Sequence, residues 1–137
     1  MNASEIFPKL EPLLRQIEIL SRIPSEHLAG WFGYYWDRGT VVYTLGEFNG
    51  VCVIKLFARL EDFLTDYVHE PDGDFGMVEA MVIDQPRTMQ ILLERYKERW
   101  GPRPFVLWDR GAKKTMAAPR MYTWAGYEKL VRRFTKR

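Results

Sequence analysis

One cysteine in 137 residues excludes an internal disulfide framework and any zinc site built on thiolates, and it points to a reducing, cytoplasmic setting. No apolar run approaches the eighteen residues of a membrane span. The opening, MNASEIFPKLEPLLRQ, has no basic stretch followed by an apolar core and does not read as a secretion signal. Histidines number only two, His27 and His69, so metal or acid–base chemistry built on imidazole has little to draw on. A net charge of +2 with 47% hydrophobic residues excludes a disordered chain, which needs few apolar residues and a large net charge.

What is present is aromatic and unevenly charged. Eight Phe, seven Tyr and five Trp supply large burial for one core, and the length suits a single domain over residues 1–137. Cys52 lies in an apolar run with no histidine close in sequence, and reads as a small buried hydrophobe. Residues 61–84 hold eight acidic side chains and no Lys or Arg, whereas residues 110–137 hold nine basic side chains and one acidic, Glu128. These regions could face each other in the fold, or the basic tail could meet an anionic ligand.

The apolar pattern gives an order of elements. Ile6, Leu10, Leu13, Leu14, Ile17 and Leu20 form a helical stripe, with the regular helix expected after Pro8 and Pro12. Pro24 opens a second helix that ends at Gly39. Thr40–Leu45 and Val51–Phe57, joined by a glycine-bounded turn, predict a β-hairpin. A helical turn around Leu60–Tyr67 precedes a third strand, Phe75–Ile83. Pro86 starts and Gly101 ends the clearest helix. The short strand Pro104–Trp108 should then lie parallel to the third. Met121–Trp124 reads as an edge strand, separated by Gly126 from a last helix. The expected class is α/β, a mixed sheet flanked by helices.

This order, and above all the stretch VEAMVIDQPRTMQILLERYKERWGPRPFVLWDRG, resembles the GNAT-type acyltransferases over about residues 12–135. The ending looks like the toxin-activating lysine acyltransferase branch. The resemblance implies acyl-CoA as cofactor, an amine as acceptor, and pantetheine seated along Val82 and Ile83. It places Gln85, Arg87 and Thr88 near the pyrophosphate, where relatives carry Gln/Arg, two residues, Gly, one residue, Gly/Ala. This chain departs from that loop: Thr88 and Gln90 stand in the glycine places, and Pro86 removes an N–H.

The resemblance also implies Glu79, in mid-strand, as general base, and Tyr122 or Tyr127 as the acid that protonates the departing thiolate. The plain alternatives are a solvent-facing glutamate and packed tyrosines. His27 follows Ser25 by two residues, whereas the toxin-activating branch sets its serine three before its histidine; a partly exposed helix histidine is the simpler reading. His69 with Asp66, Glu70, Asp72 and Asp74 offers donors for an oxygen-rich metal site, but they lie in a single loop of mixed spacing, and no metal is expected. The tail residues Arg110, Lys113, Lys114 and Arg120, interleaved with Tyr122 and Trp124, are suited to single-stranded nucleic acid or a protein partner. A binding module without chemistry is therefore the alternative to an acyltransferase.

Overall fold

The computed structural model describes residues 1–108 and 120–135. Five strands form one mixed sheet in the order β1-β2-β3-β4-β5, flanked by helices on both faces, as the α/β reading expected. β1 (Val41–Thr44) and β2 (Gly50–Phe57) are the antiparallel hairpin, and β3 (Phe75–Ile83) pairs antiparallel to β2. β4 (Phe105–Trp108) lies parallel to β3, as a strand, helix and strand in succession predict. β5 (Arg120–Thr123) closes the other edge antiparallel to β4.

The helices sort by face. On one side α1 (Ala3–Leu14), the single turn α2 (Glu18–Ser21) and α3 (Ser25–Asp37) bury Ile6, Leu10, Leu14, Leu28, Phe32 and Tyr35 against Val51, Val53, Ala80 and Val82. On the other, α4 (Pro86–Trp100) sets Leu92 and Tyr96 on Val42, Cys52, Ile54 and Leu56, while α5 (Trp124–Thr135) sets Tyr127 and Val131 on Val106 and Trp108. All eight residues of β2 are buried, which a strand covered on both faces requires.

Two boundaries differ from the sequence expectation. The first helix does not wait for its prolines: Pro8 and Pro12 lie inside α1. Each removes one intrahelical donor, yet the Asn2 side chain accepts from the Glu5 amide at 2.9 Å and caps the start. Burial of Ile6, Phe7, Leu10 and Leu14 holds the rest. The stripe then breaks after Leu14, and Ile17 precedes a separate turn. At the other end Gly126 lies within α5 rather than before it, because the Thr123 hydroxyl accepts from the Gly126 amide at 3.2 Å and starts the helix earlier.

β3 carries the one irregularity that matters for chemistry. Val53 pairs with Ala80 and Ile54 with Val78, so Glu79 is an extra residue in the strand, a β-bulge. The bulge resets the alternation. Val78, Met81 and Ile83 pack on the α4 side, while Ala80 and Val82 pack on the α1–α3 side.

Candidate functional site

Glu79 at the bulge faces the α1–α3 side, where it meets Lys55. The Lys55 ammonium is 3.2 Å from Glu79 Oε1, with side-chain exposures of 1% and 14%. Its three protons are matched by three carbonyls, Asp62 at 2.9 Å, Phe63 at 2.7 Å and Thr65 at 3.0 Å. Glu79 therefore meets the ammonium as a charge beside a filled hydrogen-bond set. These carbonyls belong to the 3-10 turn Leu60–Leu64 and the residue after it, so one buried cation fixes this acidic segment onto β2.

Tyr35 from α3 completes the cluster. Its phenol accepts from the Tyr67 amide at 3.3 Å, and burial and then the charge of Glu79 push its ionisation well above the usual phenol range. Tyr34 donates to the Tyr67 carbonyl at 2.8 Å. Tyr67 itself takes a left-handed φ of 59°, a conformation that a bulky residue keeps only when its surroundings impose it. Lys55 was not singled out in the sequence, although a lone lysine inside an apolar strand is the signal that marks it.

The end of β3 is shaped by α4. Gln85 and Arg87 are exposed, whereas Thr88 is fully buried. The Thr88 hydroxyl donates to Asp84 Oδ1, and Asp84 also accepts from the Asn49 amide at 3.0 Å. These bonds, the Thr88 bond foremost, draw the Asp84 carboxyl below its usual range. A Cβ on Gly50 would stand 2.6 Å from Thr88 Cγ2, so glycine is what lets α4 seat this closely on β2. The expected cofactor residues thus divide: Gln85 and Arg87 face solvent, Thr88 is engaged within the protein, and Val82 and Ile83 lie on opposite faces of β3.

Tyr122 and Tyr127 belong to the α4–α5 face, packed with Val106 and Trp108. Tyr127 is buried, and burial raises its ionisation strongly; the Tyr122 hydroxyl is buried with no hydrogen-bond partner among the described residues. The sheet therefore stands between these phenols and Glu79. Between them and α4 lies an apolar cavity of about 30 Å³, walled in part by Cys52, Met81, Met89, Leu92, Trp124 and Tyr127. Cys52 is buried here, and desolvation pushes its thiol up to about 12, in keeping with packing rather than nucleophilic use.

Among the described residues the parallel ladder joins Phe75, Gly76 and Met77 to Phe105, Val106 and Leu107. β3 continues to Ile83. Among the described residues, Val78–Ile83 has no strand beside it on that edge.

Other sequence candidates resolve as follows. His27 is exposed on α3. Among the described residues no group of three or more His, Cys, Asp or Glu is placed to hold a metal ion, and no helix is long and apolar enough to cross a membrane. Arg110, Lys113 and Lys114 lie outside the described residues; Arg120 is exposed on β5. Glu128 meets Lys97 at 3.6 Å and Arg132 at 3.1 Å, joining α5 to α4.

The chain matches no family model, no curated protein and no solved structure.

Proposed function

We propose that this is a GNAT-like domain that binds an acyl-CoA thioester along the free edge of β3 and passes the acyl group to an amine. The observation that carries the reading is the parallel β3–β4 ladder, which among the described residues pairs through Met77 and Leu107 while β3 runs on to Ile83. An edge that no described strand covers would offer backbone N–H and C=O groups to the amides of pantetheine, as strand addition does for peptides. On this reading the acyl group would have to meet Glu79 as base on one face and Tyr122 or Tyr127 as acid on the other. Gln85 and Arg87 would meet the pyrophosphate at the start of α4.

A second reading is a domain of this fold that binds without catalysis. The ion pair of Glu79 with Lys55 and the bond of Thr88 to Asp84 favour it, since both side chains are already engaged.

Thermal melting with acetyl-CoA and longer acyl-CoA species tests the ligand. A ligand held a hundredfold above its Kd stabilises the folded state by about 2.7 kcal/mol. A melting temperature unchanged at millimolar acyl-CoA overturns the reading. A raised melting temperature with no release of free CoA in the presence of a panel of amines selects the binding module.

A further inference from the structure

The segment that Lys55 ties down turns its apolar side chains outward. None of the residues of the 3-10 turn Leu60–Leu64 is buried. Leu60 is 44% exposed, Leu64 77% and Tyr67 54%, so three large apolar groups meet water within one short stretch. The backbone beneath them is nonetheless fixed: the Lys55 ammonium holds the carbonyls of Asp62, Phe63 and Thr65, while Tyr35 and Tyr34 bond the amide and the carbonyl of Tyr67. A surface held in place by its own scaffold has little freedom left to lose on docking.

Charge indicates what would cover it. Glu61, Asp66 and Asp72 are exposed around these apolar groups, and residues 61–84 include no Lys or Arg. Among the described residues only Arg59 pairs with the segment 61–74, at 3.8 Å to Glu61 and 3.4 Å to Asp62. The complementary surface is α5, where Lys129, Arg132 and Arg133 are exposed and Leu130 and Phe134, one position on from Lys129 and Arg133, are half-buried. Arg132 pairs with Glu128, whereas Lys129 and Arg133 form no ion pair among the described residues. The two surfaces are kept apart within one chain. Residues 60–65 are tied to β2 on the α1–α3 side, and α5 packs on Val106 and Trp108 across the sheet.

We propose that Leu60, Leu64 and Tyr67, with their acidic rim, are a docking surface for a second copy of this chain, which presents Lys129 and Arg133 with the ridge of Leu130 and Phe134. The contact is heterologous, since each molecule receives on one face and presents the other, and such contacts extend head to tail instead of closing a symmetric pair. Opposite charges steer the encounter and fix its register, while the apolar groups supply the area removed from water. The surface is separate from the β3 edge and does not depend on the acyl-transfer reading.

Sedimentation velocity of the intact chain across a concentration series tests this. Species larger than the monomer are expected at low ionic strength, growing with concentration, and should be lost at about 1 M salt, where the screening length falls to about 3 Å. Leu64→Ser with Asp66→Lys breaks the receiving face, and Lys129→Glu with Arg133→Glu breaks the presenting face; all four residues are exposed. Each variant alone should sediment as a monomer, and an equal mixture should form a one-to-one dimer that grows no further, because one intact face of each kind remains. Where a double variant fails to fold, its single substitutions replace it in the same mixture. A parent chain that stays monomeric at low salt up to millimolar concentration, a variant that still self-associates, or a mixture of monomers overturns the proposal.

Discussion

The two faces of the sheet, built from alternate residues of the same strands, are joined to their helices in different ways. Toward α1–α3, β2 presents Val51, Val53 and then Lys55, whose ammonium ties down Asp62, Phe63 and Thr65 and meets Glu79. Toward α4 it presents Cys52, Ile54 and Leu56 to Leu92 and Tyr96, around a small apolar void. Directional bonds define one side, and shape and volume define the other. A lost partner on the first side leaves charge and carbonyls unmatched, whereas a lost methylene on the second leaves a hole.

The largest effect should come from breaking the polar side. Lys55→Met leaves Glu79 without its ammonium and three carbonyls without their donor, and removal of one partner of a buried pair costs about 3–5 kcal/mol. Glu79→Gln should cost clearly less, since the ammonium keeps its three carbonyls. Urea unfolding of both variants checks the order; a Lys55→Met protein as stable as the parent would mean that the segment 60–65 is not held by this cation.

The apolar side should yield next. Leu92→Ala enlarges an existing cavity and is expected to cost about 2–5 kcal/mol, the range for truncating a buried leucine. Benzene should recover part of the loss, because an apolar cavity of sufficient size admits it. A loss without rescue by benzene would mean that the side chains around Met81 and Met89 collapse into the space.

How far these differences could be read beforehand depends on where the partners lie. β3, α4 and β4 were legible to within a residue or so, because Asp84-Gln85-Pro86 and Gly101 punctuate strongly apolar segments. The parallel β3–β4 pairing followed from the helix between them. The α1 boundary was misjudged because prolines weigh against a helix locally, while the burial that overrides them is tertiary. The bulge at Glu79 left no trace in FGMVEAMVI, where residues on both faces are apolar. Lys55 was visible as an anomaly, but its carbonyl partners come from a turn brought back by the fold. In sequence His69 stands among acidic neighbours, whereas in space its ring meets Trp100, with Arg103 near the same indole.

A smaller effect tests the junction of β5 with α5 on the apolar side. Thr123→Ala removes the hydroxyl that accepts from Gly126, and loss of such a cap costs about 1 kcal/mol. The Gly126 amide should exchange its proton faster in this variant, and unchanged exchange would assign the helix start to the packing of Trp124 and Tyr127 alone.

The smallest effect is one of pH, and it separates His69 from the other shifted groups. The Trp100 ring of α4 meets an imidazole whose folded ionisation is depressed, by burial first and then by the charges of Arg38, just after α3, and Arg103, before β4. The unfolded chain then binds a proton that the folded chain resists, so stability falls as pH drops below about 6.5, the ordinary imidazole value. Asp84 acts in a separate window. Its folded carboxyl is depressed, so its contribution is present above 3.8 and lost as pH falls further. Unfolding midpoints in chloride buffers should therefore decline gently between pH 7 and 5.5, and His69→Gln should flatten that decline without touching the steeper loss below pH 4. An unaltered slope in the variant would place the titrating group elsewhere and remove the charge argument for a strained His69.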